Sequence, residues 1–149
     1  MADVTLDIYI ISRLSHGYYA RELDELGISM AQFPYIMAII DNDGISQEKL
    51  SARLRMGKST TAAIVKQLEE KGLITREVDR NDRRNFCLHA SGSAVALRPA
   101  IQAAVDNCNE KITAGLSEEE KREFSRLLRI VRQTTEGILG TVRSRNIKE

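Results

Sequence analysis

The sequence predicts a mainly α-helical chain with one small β-hairpin set inside it. Three observations lead there. Apolar side chains recur at three- and four-residue spacing along most of the 149 residues, which is the period of a helix face. Serines and glycines punctuate that pattern where helix starts and stops belong. Two short runs, 73–78 and 86–89, give up the helical period for alternation, as strands do.

The elements follow in order. Leu6, Ile10, Leu14 and Tyr18 recur every four residues and form one stripe of a first helix over 4–26, stopped by Gly27. Ser29-Met30-Ala31-Gln32 has capping-box spacing and opens a second helix with Phe33, Ile36, Met37 and Ile40 on its apolar side. Pro34 falls near the first turn, where proline bends a helix slightly rather than breaking it. Asp41-Asn42-Asp43-Gly44 is a turn, and Ser46 is an N-cap for a short third helix carrying Leu50 and Leu54. Gly57 separates it from a fourth helix over 58–71, with Ile64, Val65 and Leu68 inward and Gly72 as its stop. Residues 73–78 and 86–89 are strands around a polar turn. From Ser91 to Ala114 the chain is Ala-rich and helical, with Pro99 expected to kink it. Ser117-Glu118-Glu119-Glu120 is a second capping box, and Phe124, Leu127, Leu128, Val131 and Ile138 line the last helix.

Composition narrows the function classes. The chain is 42% hydrophobic and 29% charged, as folded proteins are. No apolar run approaches the roughly 20 residues that a membrane span needs, and MADVTLDIYI lacks the basic flank of a signal peptide, so a cytoplasmic protein without membrane contact is expected. Cys87 and Cys108 make neither a disulfide framework nor a metal spacing, and no cofactor or metal is expected. The net charge of +1 conceals an uneven distribution. Residues 1–48 hold two basic side chains against eight acidic ones, whereas 49–84 hold ten against five. A basic segment inside a near-neutral protein can follow a polyanion.

That segment contains RMGKSTT, residues 55–61, whose Gly57-Lys58-Ser59 matches the tail of a phosphate-binding loop. The full pattern needs another glycine five residues earlier, between a strand and a helix. Position 52 is Ala52, and 48–54 reads as helix. A second reading uses the same residues as the turn and leading edge of a helix-turn-helix. A second helix of that kind enters the DNA major groove by its N-terminus. Lys58, Ser59, Thr60 and Thr61 then lie against phosphates and base edges, with Lys66 and Gln67 as further contacts. The hairpin strengthens this reading. Its tip carries Arg80, Arg83 and Arg84, a basic wing able to reach a neighbouring minor groove. Asp79 and Asp82 sit beside these arginines and are expected to hold the tip in shape by pairing with them.

The run Leu68-Glu69-Glu70-Lys71-Gly72-Leu73-Ile74-Thr75-Arg76 with Asp79-Arg80-Asn81-Asp82-Arg83-Arg84 closely resembles the winged core of the multiple antibiotic resistance regulator (MarR) family. Gln32-Phe33 and Gly115-Leu116-Ser117-Glu118-Glu119-Glu120 extend the likeness over nearly the whole chain. The resemblance implies one domain over 1–149: a winged helix-turn-helix core over 29–90, flanked by dimerisation helices over 1–27 and 91–149. It also implies a homodimer reading a pseudo-palindromic operator in double-stranded DNA. Many members of the family bind small phenolic or carboxylate effectors, and Arg13, His16 and Met30 are the candidate residues here. The sequence also departs from the family. Ala62-Ala63 stands where relatives often have Thr-Arg, and Leu88-His89-Ala90-Ser91-Gly92 replaces Leu-Thr-x-x-Gly, with His89 in a structural role. No cysteine lies near the start of the first helix, where peroxide-sensing relatives carry one, so Cys87 and Cys108 read as inert.

The expected function is a sequence-specific DNA-binding transcription regulator, a homodimeric repressor released by a small effector, and not an enzyme. The sequence leaves two alternatives: a nucleotide-binding protein using Gly57-Lys58-Ser59, and a winged helix used only for protein–protein contact.

Overall fold

A computed structural model describes residues 3–79, 83 and 85–145, with side chains through residue 138. The elements run α1 (Val4–Asp24), α2 (Phe33–Asp41), β1 (Ile45–Ser46), α3 (Gln47–Leu54), α4 (Lys58–Glu70), β2 (Ile74–Val78), β3 (Phe86–Ala90), α5 (Gly92–Ile112) and α6 (Glu118–Arg145). The chain divides into two compact units, Met1–Cys108 and Asn109–Glu149.

Helix boundaries are set by side chains close in sequence. Asp3 accepts from the Leu6 N–H at 3.1 Å and caps α1. Ser29 and Gln32 form the expected capping box, with each side-chain oxygen accepting from the other residue's N–H at 3.2–3.3 Å. The box encloses a separate turn, however, so α2 starts at Phe33 rather than at Ser29. Pro34 thereby falls in the first helical turn, where its missing N–H costs nothing. Ser46 caps α3 and Ser91 caps α5. The Ser117 N–H and hydroxyl both donate to Glu120 at 2.8 Å, closing the second capping box ahead of α6. α5 continues through Pro99 as one helix.

Two helix ends share one chemistry. At the end of α1, Ile28 N–H bonds to Leu23 O and Gly27 N–H to Asp24 O, both at 3.0 Å. At the end of α4, Leu73 N–H bonds to Leu68 O at 3.0 Å and Gly72 N–H to Glu69 O at 2.9 Å. This is the Schellman arrangement, which needs a left-handed residue and closes with an apolar contact. Gly27 and Gly72 supply φ of +72° and +70°. Leu23 with Ile28 and Leu68 with Leu73 supply buried apolar pairs.

The sheet has strand order β1-β3-β2, antiparallel throughout. β2 and β3 are the expected hairpin, in register from Ile74 opposite Ala90 to Val78 opposite Phe86. The two-residue β1 adds Ile45 opposite Leu88. Leu88, fully buried on the central strand, faces a core drawn from five helices and the sheet: Leu23, Tyr35, Ile36, Ile39, Leu50, Val65, Leu68, Ile74 and Ile101. A different surface stays open. Leu6, Ile10 and Leu14 on α1 are 49%, 39% and 63% exposed, so the stripe the periodicity marks out is not used within this unit. Phe124, Leu127, Leu128, Val131 and Ile138 of α6 are exposed as well.

Gly72 isolates the left-handed requirement, because a Cβ there meets nothing within 4 Å. Gly72→Ala is expected to lower the unfolding free energy by about 1 kcal/mol through backbone strain alone. Urea denaturation should show a lower midpoint at unchanged slope. Gly92→Ala, also in open space but without positive φ, should not lower the midpoint.

Candidate nucleic-acid interface

The turn between α3 and α4 decides what Gly57-Lys58-Ser59 can do. α3 ends in the same Schellman pattern, with Met56 N–H on Ser51 O at 3.1 Å and Arg55 N–H on Ala52 O at 3.2 Å. The left-handed residue is Arg55, at φ +56°. Gly57 is extended, at φ −65° and ψ 149°, and stands at the N-cap of α4. The Ser51 hydroxyl reinforces the turn by donating to Met56 O at 2.7 Å. A helix, not a strand, therefore leads into the glycine. Lys58 turns its ammonium to Glu48 on α3 at 2.9 Å. That contact holds the Lys58 pKa above its ordinary value and keeps the group charged. The phosphate-loop motif therefore lacks its context, a strand and glycine-rich loop leading into the helix, and the nucleotide-loop alternative loses its basis.

α4 has a definite rotational phase. Thr61, Ile64, Val65 and Leu68 are buried at positions i, i+3, i+4 and i+7, one face of a helix. Lys58, Ser59, Thr60, Ala62, Ala63, Lys66 and Gln67 are exposed. Thr61 therefore departs from its expected role against DNA. It is 0% exposed, because the spacing that includes the core leucine and valine includes it too. Its hydroxyl has no hydrogen-bond partner. Lys66 lies 3.7 Å from Glu70, and the Gln67 side-chain oxygen accepts from Gln32 Nε2 at 3.0 Å.

The wing starts beside α4. Arg76 on β2 pairs with Glu69 on α4, and its guanidinium carbon lies 5.4 Å from the Phe86 ring centroid. These contacts tie the hairpin to the last turn of α4. Asp79 N–H donates to Asn85 O at 2.9 Å where the strands part. Arg83 is exposed in the turn. Arg80, Asp82 and Arg84 lie outside the described residues. Asp79 and Cys87 face each other: partial burial first, then the Asp79 carboxylate, push the Cys87 thiol pKa up. Cys108 is buried. Burial first, and then Cys108, push Tyr19 up to about 12. Neither thiol has the electropositive, accessible setting of a reactive cysteine. His89 is structural: its Nδ1 lies 3.0 Å from Asp43, whose other oxygen accepts the Ala90 N–H at 3.1 Å. The hydrogen bond from His89 lowers the Asp43 pKa.

Of the candidate effector residues, Arg13 and His16 are exposed one turn apart on α1, while Met30 packs on the core. Three participants were not identified from sequence: Glu48 as the partner of Lys58, Arg76 as the bolt of the wing, and Gln32 as a bridge to α4. Gln32 reaches its partners across 35 and 39 residues, whereas Glu48 and Arg76 meet Lys58 and Glu69 across ten and seven, from neighbouring elements whose packing no single period reveals. Among the described residues no group of three or more His, Cys, Asp or Glu could hold a metal ion, and no helix is long and apolar enough to cross a membrane.

The same helices, turn and wing occur in known proteins. The family model described as MarR family matches residues 26–85. A Thauera aromatica protein named as a transcriptional regulator for the hcr operon is 34% identical over 111 residues, covering 74% of this chain and 67% of that protein. A solved MarR transcriptional regulator from Methanosarcina mazei Go1 superposes with a TM-score of 0.85 at 27% identity, covering 91% of this chain and 97% of the other. A solved structure named as a MarR family transcriptional regulator from Listeria monocytogenes, in complex with a 26-mer DNA, has a TM-score of 0.81 at 30% identity, covering 90% and 89%.

The buried, unbonded hydroxyl of Thr61 separates core from interface. Thr61→Val replaces it by a methyl of the same shape, which removes an unsatisfied polar group. The thermal midpoint should stay level or rise, and duplex affinity should remain within about twofold of the wild type, since nothing at the exposed face changes. A duplex affinity that falls with the midpoint intact would restore Thr61 to the interface.

Proposed function

The chain belongs to the MarR family of winged helix-turn-helix transcription regulators, and from that premise we propose that it is a homodimeric repressor of pseudo-palindromic operator DNA, released by a small phenolic or carboxylate effector. Transcription regulation, not catalysis, is the work of this family. The observation that carries the reading is the exposed row of α4 beginning at Lys58, held outward by a buried stripe and flanked by a wing with Arg83 at its turn.

Lys58, Ser59 and Thr60 lead α4 into the major groove. There Lys58 exchanges Glu48 for a phosphate. An exposed ion pair contributes little on its own, so the exchange needs little driving. Lys66 and Gln67, two turns further along, approach the flanking backbone. Ala62 and Ala63 offer only methyl surface, which suits a thymine methyl and makes no base hydrogen bond. The wing arginines Arg80, Arg83 and Arg84 approach the adjacent minor groove, with Asp79 and Asp82 shaping the tip. The Listeria relative's complex with a 26-mer DNA supports a duplex as the partner. The third reading, a winged helix for protein contact alone, leaves the basic exposed row without a task.

The homodimer is supported by apolar surface. Val4, Leu6, Tyr9, Ile11 and Leu14 on α1 are each about half exposed or more, a patch that a soluble protein covers with a partner. A two-fold pair on these helices presents two copies of α4, matching the two halves of a palindrome. Arg13 and His16, exposed one turn apart on the same helix, offer an anion a cationic neighbour, and Met30 is the proposed apolar contact. An effector bound there acts by favouring a spacing of the two recognition helices that no longer fits the operator.

A duplex selected from a random pool tests the interface directly. Lys58→Ala and Arg83→Ala should each lower the slope of log affinity against log salt by about 1, as the loss of one phosphate contact does. Unchanged slopes in both variants would remove these residues from the interface. The absence of salt-sensitive binding in the wild type would favour protein contact alone.

A further inference from the structure

Gln32 is a polar side chain, 4% exposed, at a three-way junction. Its oxygen accepts from the Ser29 N–H at 3.2 Å and from the Lys71 ammonium at 2.8 Å. Its Nε2 donates to the Gln67 oxygen at 3.0 Å. Lys71 donates a second bond to Gly27 O at 2.7 Å. The amide orientation is forced, because an ammonium and a backbone N–H are donors only and must meet the oxygen. The nitrogen is then left for Gln67, whose own oxygen must turn inward. One side chain thus joins the turn between α1 and α2 to the last two turns of α4, across 35 and 39 residues of sequence.

The buried stripe of α4 fixes how the helix is rotated about its axis. A stripe of aliphatic side chains is non-directional and controls the tilt of that axis far less. Hydrogen bonds are directional, and these grip the end of α4 remote from Lys58. A small swing at Gln67 and Lys71 is carried along the helix to Lys58-Ser59-Thr60, about 15 Å away at 1.5 Å per residue. Gln32 itself is buried, so its amide depends on these partners, while Gln67 and Lys71 reach it from the exposed surface.

We propose that Gln32 is a specificity-determining positioning residue, anchoring the C-terminal end of α4 so that its N-terminal end meets base edges at one fixed angle. The inference rests on the duplex-binding reading above. Lys58 and the wing arginines give affinity for any phosphate backbone, whereas discrimination among sequences needs the helix at one angle, and Gln32 acts on the second.

The test compares affinities for the selected duplex and for a random-sequence duplex of equal length, in the wild type, Gln32→Leu and Gln32→Glu. Leucine keeps the bulk and removes every bond. Glutamate keeps both acceptor bonds and lets Gln67 turn its amide to donate. In Gln32→Leu the ratio of selected to random affinity should fall by about tenfold, the size of one lost buried hydrogen bond. Random-duplex affinity and salt slope should not change. Gln32→Glu should hold the ratio within about threefold, since a carboxylate satisfies the same donors. An unchanged ratio in Gln32→Leu overturns the proposal, as does a ratio in Gln32→Glu as low as in Gln32→Leu. Should Gln32→Leu not fold, Lys71→Met removes one arm from the exposed side and should lower the ratio by about threefold; no change there overturns it equally. A wild type that binds neither duplex overturns the proposed function itself, whereas equal retention of the ratio by all variants overturns only the role of Gln32.

Discussion

Everything at the candidate interface depends on the burial of one stripe of α4. Thr61, Ile64, Val65 and Leu68 face the core, with Val65 and Leu68 fully enclosed. Each aliphatic side chain so enclosed contributes about 1.5–3 kcal/mol, and no exposed contact of the helix comes near that. Turning α4 by one residue, about 100°, would expose the stripe and bury Lys58 or Lys66. The rotational phase is thus decided by core packing, and the exposed row follows. The Schellman turn at Gly72 and the pairing of Arg76 with Glu69 then bring the wing up against the same helix.

The electrostatics are built to be exchanged. The basic residues on this face have acidic neighbours within the chain: Glu48 for Lys58, Glu70 for Lys66 and Glu69 for Arg76. Surface pairs of this kind are weak and screened by salt. They hold cationic side chains in place without preventing them from meeting a phosphate. This is why a chain with a net charge of only +1 can carry a local face for a polyanion. Gln32 contrasts with them. It is buried, uncharged and bonded through both its oxygen and its nitrogen, and it controls orientation rather than attraction.

Much of this was legible because the signals were local. Serine caps, glycine stops and three-to-four spacing gave the six helices, and alternation gave β2 and β3. What escaped was non-local or too short. β1 has two residues, which no period can reveal, and it exists only because Leu88 and Cys87 lie beside it. Arg55 takes the left-handed position although Gly57 is two residues away, because the Schellman bonds of α3 fall in register with Arg55. Thr61 looked like a fourth polar residue at a helix start. Its burial follows from the same spacing that picked out Ile64, Val65 and Leu68, carried one step toward the N-terminus. Proline at the second residue of α2 was legible as tolerable, whereas the separate turn enclosed by the capping box was not. At the candidate site, Lys58, Ser59 and Thr60 could be named from sequence, but their partner Glu48 and the bracing by Gln32 needed the fold.

The phase and direction of α4 can be read directly by affinity cleavage, with iron–EDTA tethered to a single cysteine in a Cys87→Ser, Cys108→Ala background and the selected duplex as target. Ser59 and Ala63 lie on the exposed row near the leading end, and Glu25 lies on the exposed end of α1, beside the turn that Lys71 grips at the far end of the helix. Probes at positions 59 and 63 should cut within the binding site, in a pattern centred on the groove, and a probe at position 25 should leave the duplex intact. Cutting from position 25 as strong as from 59 and 63 would contradict the account, because the helix would then approach DNA by its other end or by another face.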